Sequence, residues 1–123
     1  MAWNLDSDRP IYLQLIEIIQ TRIVSGMYPA GNRLPSVREL AAEASVNPNT
    51  MQKAFAELER NGLIITQRTS GRTVTEDTSK IAAIRHELAA EQIRHFLEGM
   101  TKLGYQRNEI ADLIKQAAEE GKI

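Results

Sequence analysis

The sequence of 123 residues contains no cysteine, so it has no disulfide framework, no zinc finger and no thiol chemistry. No apolar run approaches the roughly 20 residues needed to span a bilayer. The first residues lack the basic and then apolar order of a secretory signal. These absences predict a cytoplasmic protein outside the membrane. An apolar content of 42% with 25% charged residues is typical of one globular domain with at most a short appendage.

A basic excess is also missing, because the formal net charge is −1 and the isoelectric point is near 6.1. Residues 1–75 carry eight Lys or Arg and seven Asp or Glu, whereas residues 76–123 carry seven and nine. A single copy would therefore have little sequence-independent attraction to phosphate. If the chain binds nucleic acid, we expect two copies to act together.

Catalytic motifs are absent as well. The two histidines, His86 and His95, are nine residues apart on a predicted helix, which places them on opposite sides and excludes a shared metal ion. His86-Glu87 lacks the second histidine four residues on that a zinc protease needs. There is no Gly-rich phosphate loop and no serine nucleophile elbow. We therefore predict no active site, no metal site and no cofactor.

The most informative stretch is a predicted helix that follows Asn47. Asn47 suits the capping position and Pro48 the first helical position, while Gly62 can close the helix with a left-handed residue. Four apolar residues recur at i, i+3, i+4 and i+7, which places them on one buried face. They are Met51, Ala54, Phe55 and Leu58.

A second, shorter helix precedes it. Ser36 and Glu39 have the spacing of a capping box, in which each side chain accepts a hydrogen bond from the other residue's backbone N–H. Ser45 and Val46 make the turn into Asn47. Two helices joined by so short a turn are typical of a helix-turn-helix.

The pattern changes to that of a β-hairpin after Gly62. Residues 63–67 are β-branched and apolar, residues 68–71 read as a turn, and residues 72–75 can form the return strand. Leu34 is predicted to pair briefly with this hairpin. The fold class is therefore mainly α with a small β-wing, a winged helix-turn-helix over residues 1–75 that also contains a supporting helix from Ile11 to Ser25.

The rest of the chain divides into a linker, residues 76–79, and a helical region, residues 80–123. One long amphipathic helix should end at Gly104, and Asn108 should cap a last helix. Two helices cannot enclose a core alone, so a homodimer is predicted, with the alternative that both helices fold back on the winged domain. The predicted dimerisation residues are Ile81, Ile84, Leu88, Ile93, Phe96, Leu97, Met100, Leu103, Ile110, Leu113 and Ile114.

Five blocks in register resemble the GntR family of transcription regulators, and within it the small YtrA-type subfamily. The wing departs from the family's Gly-rich tip. The resemblance implies a dimeric repressor that binds a palindromic operator, and YtrA-type regulators often control neighbouring transporter operons. It leaves open whether a small-molecule effector exists. The matching blocks are residues 10–15, Gly26 with residues 29–31, residues 34–41, residues 46–50 and residues 57–64.

The predicted partner is double-stranded DNA, read in the major groove by the start of the second helix. Gln52 can bond adenine bidentately, and Lys53 suits a phosphate. In the GntR family the position of Arg38 touches DNA from the preceding helix. Arginine-to-guanine readout from the second helix is not expected, because Pro48 and Gln52 stand where some relatives carry arginines. The predicted DNA-binding residues are Ser36, Arg38, Asn47, Asn49, Thr50, Gln52, Lys53, Arg68, Ser70, Gly71 and Arg72.

A protein-interaction adaptor built on the same fold is the competing interpretation. An adaptor would expose apolar anchors at the start of the second helix. This chain instead has the amides of Asn49 and Gln52 there, which favours DNA. Several predicted contacts also have structural alternatives, since Asn47 can serve only as a cap and Thr50 can be structural.

Overall fold

The computed structural model describes residues 3–69 and 71–121. The chain divides into two compact units, Met1–Arg85 and His86–Ile123, which are described separately. Helix α4 has residues in both. Within the described residues the elements in chain order are α1 (Ile11–Val24), α2 (Val37–Ala44), α3 (Pro48–Arg60), β1 (Ile64–Gln67), β2 (Gly71–Val74), α4 (Thr78–Lys102) and α5 (Arg107–Glu119). This is the mainly helical winged architecture that the sequence predicts.

The core of the first unit is formed by one face of each of the first three helices, closed by the wing. On α3 the buried residues are the four predicted from their spacing, and Phe55 at their centre is fully buried. Burying such aromatic and aliphatic side chains is the main force that holds the three helices together. The other large buried members are Leu15, Ile19, Ile23, Leu34, Leu40, Leu63, Ile64 and Val74.

The predicted helix ends are confirmed by their hydrogen bonds. The Ser36 hydroxyl accepts from the backbone N–H of Glu39, and the Glu39 carboxylate accepts from that of Ser36, each at 3.0 Å. Asn47 Oδ1 accepts from the N–H of Asn49 at 2.8 Å. Gly62 has a φ of +85°, which glycine adopts without strain. These ends fix the angle at which α3 leaves the turn.

The wing is an antiparallel hairpin in which Ile64 pairs with Val74 and Gln67 with Gly71. Gly71 therefore belongs to β2 rather than to the turn. The N–H of Leu34 donates to the carbonyl of Arg72 at 2.8 Å, which confirms the predicted pairing of Leu34 with the wing. This contact joins the segment before α2 to the second wing strand.

The predicted linker 76–79 ends two residues too late. Asp77 caps α4, accepting hydrogen bonds from the Ser79 hydroxyl at 2.6 Å and from the N–H of Lys80 at 3.1 Å, so Ser79 is already helical. The bond from Ser79 is the main cause of a lowered pKa for Asp77. Ile81 and Ile84 then pack against the core of the first unit. These two residues, predicted to belong to the dimerisation set, are thus partly buried within one chain.

In the second unit α4 ends in a left-handed glycine, as predicted. Gly104 has a φ of +97°, and the N–H of Tyr105 returns to the carbonyl of Met100 at 3.3 Å. Asn108 does not cap α5. Gln106 precedes the helix, and its N–H donates to Glu109 Oε1 at 2.8 Å. The carboxylate three residues on therefore determines where α5 starts.

Candidate nucleic-acid interface

The outer face of α3 carries the polar side chains that the sequence singles out. Because Met51, Phe55 and Leu58 are buried, the opposite face of the helix projects from the unit. Asn49 and Gln52 are exposed, and their carboxamides have no hydrogen-bond partner within the described residues. Each carboxamide offers a donor and an acceptor together, the pair that matches an adenine edge in the major groove.

The positive charges of residues 1–75 divide into two groups. Four of the eight cations are neutralised by carboxylates, in the pairs Arg9–Glu17, Arg22–Glu43, Arg60–Glu57 and Arg72–Glu59. The other four make no ion pair within the described part of the chain. All four lie beside or on α2, α3 or the wing, and they are Arg33, Arg38, Lys53 and Arg68.

This division explains why the lack of a net positive charge does not exclude attraction to phosphate. Attraction to a phosphate backbone depends on cations that are free to replace counterions. The carboxylates of the first unit neutralise two cations before or on α1 and two on α3 and the wing, which leaves four unpaired cations on or beside the helix-turn-helix and the wing. A nearly neutral unit can therefore still present a positive face.

The start of α2 contributes a guanidinium and a hydroxyl. Arg38 is exposed, without an ion pair among the residues described. The Ser36 hydroxyl oxygen accepts from the Glu39 backbone N–H. The pKa of Glu39 is lowered mainly by the hydrogen bond from the Ser36 backbone N–H to its carboxylate, and less by the Ser36 hydroxyl. A phosphate could therefore be met by the Arg38 side chain and the helix N-terminus together.

Arg72, predicted as a DNA contact, is ion-paired within the chain. Its Nε donates to Glu59 Oε1 at 2.7 Å, and its guanidinium lies 5.4 Å from the centre of the Phe55 ring. Glu59 Oε2 also accepts from the Thr66 hydroxyl at 2.8 Å. The reason is strand alternation, because Arg72 shares a face of β2 with the buried Val74. Arg72 therefore fastens the wing to α3.

The wing tip is the least complete part of the interface. Arg68 is exposed and makes no ion pair within the described residues, as a contact residue should. Gly71 is exposed with a φ of +78°. Ser70, also predicted to bind DNA, lies outside the described residues.

Two further residues border this face and were not predicted as part of it. A Cβ atom placed on Gly71 would be 3.7 Å from Arg33 Nε, so the Arg33 guanidinium lies beside the wing. Leu34 is buried, and alternation along an extended segment could have indicated that its neighbour Arg33 faces outward. Tyr12, in the first turn of α1, contacts Lys53 on α3.

The Asn47 side chain has the capping role that competes with DNA contact. The Asn47 oxygen is engaged as the cap of α3, which leaves only its amide N–H groups. Thr50 is half-buried. Both lie at the start of α3, where Asn47 caps the turn that carries Asn49.

The Glu59–Arg72 pair should make stability depend on pH. The hydrogen bond from Arg72 is the main cause of a lowered pKa for Glu59. The folded chain therefore holds the carboxyl proton of Glu59 less tightly than the unfolded chain does. Its contribution is therefore present above about pH 5 and is lost as the pH falls through the lowered pKa. We expect Glu59→Gln to reduce the free energy of unfolding at pH 7 by about 0.5–1 kcal/mol, a value kept small because both side chains are partly exposed.

Urea unfolding at pH 7 and at pH 3 measures this effect. The difference between wild type and Glu59→Gln should be smaller at pH 3 than at pH 7, because Glu59 loses its charge as the pH falls through its lowered pKa. Glu87→Gln is the matched control, because Glu87 is exposed and makes no ion pair within the described residues. A difference of the same size at both pH values would contradict an ionic role for Glu59.

The second unit exposes an apolar surface along α4 and α5. Ile93 is 57% exposed, Phe96 44% and Leu103 73%, although Ile110 is buried. An apolar hollow of about 230 Å³ is lined by five residues of the two helices. They are Phe96, Met100, Leu113, Ile114 and Ala117.

No group of three or more metal-ligating side chains occurs among the described residues. No helix in that part of the chain is long and apolar enough to cross a membrane.

Comparison with known proteins agrees with this geometry. Residues 11–74 match the model of the family described as bacterial regulatory proteins, gntR family. The chain is 36% identical to the uncharacterized HTH-type transcriptional regulator YhcF of Bacillus subtilis, over 96% of this chain and 98% of that protein. It is 32% identical to the HTH-type transcriptional repressor YtrA of the same organism, over 94% of this chain and 90% of that protein. A solved GntR family transcriptional regulator from Listeria monocytogenes superposes with a TM-score of 0.84 at 41% identity, covering 91% of this chain and 98% of that one.

Proposed function

Because this chain belongs to the gntR family, whose members are DNA-binding transcriptional regulators rather than enzymes, we propose that it binds a palindromic operator as a homodimer and represses transcription. Its short, YtrA-like chain places the DNA-binding unit first and a helical unit second. A regulator of this kind acts on the chromosome, so we expect it in the cytoplasm.

The observation that carries the proposal is the exposed face of α3. Asn49 and Gln52 hold unpartnered carboxamides on the side of the helix opposite its buried face. Helix-turn-helix proteins place the start of their second helix against base edges in the major groove. In this arrangement Gln52 reads a base, Asn49 reads a base or binds phosphate, and Arg38, Lys53 and Arg68 contact the backbone.

The homodimer rests on the second unit and on charge. The exposed fractions of Ile93, Phe96 and Leu103 form an apolar surface of the kind that marks an interface. A twofold dimer would cover it with the same surface of a second copy. Two DNA-binding units would also double the four unpaired cations, which offsets the weak attraction of one copy to phosphate.

Repression is favoured by the similarity to YtrA of Bacillus subtilis, which is named a transcriptional repressor. A dimer bound over a promoter would exclude polymerase. We extend the proposal to a transporter operon as the target, on the resemblance to YtrA-type regulators. The hollow of about 230 Å³ is below the roughly 300–1,000 Å³ of common ligand pockets, so the proposal includes no effector.

Selection of bound duplexes from a random DNA library, at one stated salt near physiological strength, tests this function. We expect a twofold-symmetric site whose half-sites are about one helical turn apart. Matches to that site in the genome would identify the regulated promoters, and a reporter placed behind one of them should be silenced by the protein. Failure to retain any duplex even at low salt, where non-specific binding is strongest, would favour the adaptor instead.

A further inference from the structure

Tyr12, the second residue of α1, lies against a cation of the recognition helix. The Lys53 ammonium nitrogen is 3.8 Å from the centre of the Tyr12 ring, within the range of a cation–π contact. Tyr12 is half-buried and Lys53 is exposed. The contact therefore joins a fixed ring at the edge of the core to a long side chain on the proposed DNA-binding face.

We propose that Tyr12 is a positioning residue for DNA binding, which holds the Lys53 ammonium in place for a backbone phosphate. The proposal rests on the DNA-binding function proposed above. Lys53 follows Asn49 by one helical turn, and residues four apart lie on the same side of a helix. An ammonium held on that side is next to the residues that would enter the groove.

A ring holds a lysine without neutralising it. Arg72 and Arg60 are held by the carboxylates of Glu59 and Glu57, which cancel their charge. The Tyr12 ring binds one side of the ammonium, so its full charge and its outward N–H groups remain available to a phosphate. Lys53 can therefore still release a counterion on binding.

The ring also lowers the entropic cost of the contact. A free lysine side chain has many rotamers and loses them when it binds. If the ring has already restricted Lys53, less freedom is lost on contact with DNA. Arg33, Arg38 and Arg68 have no aromatic ring recorded over their guanidinium groups among the described residues, so this preorganisation distinguishes Lys53 from the other unpaired cations.

A double-mutant cycle on the selected operator duplex, followed by fluorescence anisotropy at several salt concentrations, tests the role of Tyr12. Tyr12→Leu should weaken binding about twofold to fivefold, the range of an exposed cation–π contact, and should make binding less dependent on salt. Tyr12→Phe keeps the ring and should stay within about twofold of wild type. In a Lys53→Gln background Tyr12→Leu should cause no further loss. Thermal unfolding of each variant confirms that it is folded.

The contact itself is measured without DNA. In NMR spectra the Lys53 ε-methylene protons should be shifted upfield by the ring, and Tyr12→Leu should abolish this shift while Tyr12→Phe preserves it. Absence of the shift in the wild type would overturn the proposal. The proposal would also be overturned if Tyr12→Leu caused the same loss of affinity in the wild-type background and in the Lys53→Gln background. Tyr12 would then act without the lysine.

The two proposals fail in different ways. A wild-type protein that binds no duplex overturns the proposed function and the role of Tyr12 in it. A wild type that binds its operator, together with a Tyr12→Leu variant of unchanged affinity and salt dependence, overturns only the role of Tyr12.

Discussion

Replacing Phe96 with aspartate should convert the proposed dimer to monomers and weaken binding to a twofold operator by about 100-fold to 10,000-fold, the gain that linking two binding sites provides. Phe96 is 44% exposed and borders the apolar hollow of the second unit. A carboxylate there would be buried against the second copy without a partner, which is unfavourable. Sedimentation velocity measures the association state, and anisotropy on the operator measures the affinity.

Two further variants sharpen this test. Ile93→Asp should act in the same way, and because Ile93 is 57% exposed it has less packing to lose within its own chain. His95→Asp places the same charge about 100° around α4 from Phe96, outside the residues that line the hollow, and should remain dimeric. A monomeric Phe96→Asp variant that binds the twofold operator as tightly as wild type would contradict the dimer.

Replacing Gln52 with alanine should relax specificity at one base position in each half-site, at a cost of about 1–3 kcal/mol. The Gln52 carboxamide is exposed, lies on the outer face of α3 and has no hydrogen-bond partner within the described residues, so its donor and acceptor are both available to one base. The measurement is the affinity for four operators that differ only at that position. Wild type should prefer one of them, and the variant should bind the four almost equally.

The matched control is Gln116→Ala, which removes an exposed glutamine of α5 and should change no preference. An equal loss for all four operators would mean that Gln52 contacts phosphate, because backbone contacts carry no direct sequence information. Full retention of the preference would exclude Gln52 as the reading residue at that position.

Features set by neighbouring residues were predictable from the sequence. The capping box of Ser36 and Glu39, the Asn47 cap and the left-handed Gly62 depend on residues within a few positions of each other, and the structure has all three. The buried face of α3 follows from its 3.6-residue period. These local signals are enough to place the proposed reading face, since burial of one side of α3 exposes the other.

Features that depend on distant residues were not predictable. Glu59 and Arg72 are thirteen positions apart, and they meet only because the wing folds against α3. Tyr12 and Lys53 are on different helices, so their contact has no local signature. Local rules also fail where several caps compete, and Glu109, which accepts from Gln106, decides the start of α5 in place of Asn108.

Net charge was the weakest guide to function. A formal charge of −1 does not distinguish a cation that is neutralised from one that is free. In the first unit the carboxylates pair with Arg9, Arg22, Arg60 and Arg72 and leave positive charge on the proposed interface. Which cations are ion-paired depends on the tertiary structure, so the net charge of the sequence does not reveal it.

The most direct test of the central claim is an NMR titration of the labelled protein with the selected operator duplex. The side-chain amide signals of Asn49 and Gln52, together with the backbone signals from the starts of α2 and α3, should shift most on binding. The signals of Gln116 on α5 should move little. Large shifts confined to α5, with Asn49 and Gln52 unchanged, would contradict the claim that the exposed face of α3 reads DNA.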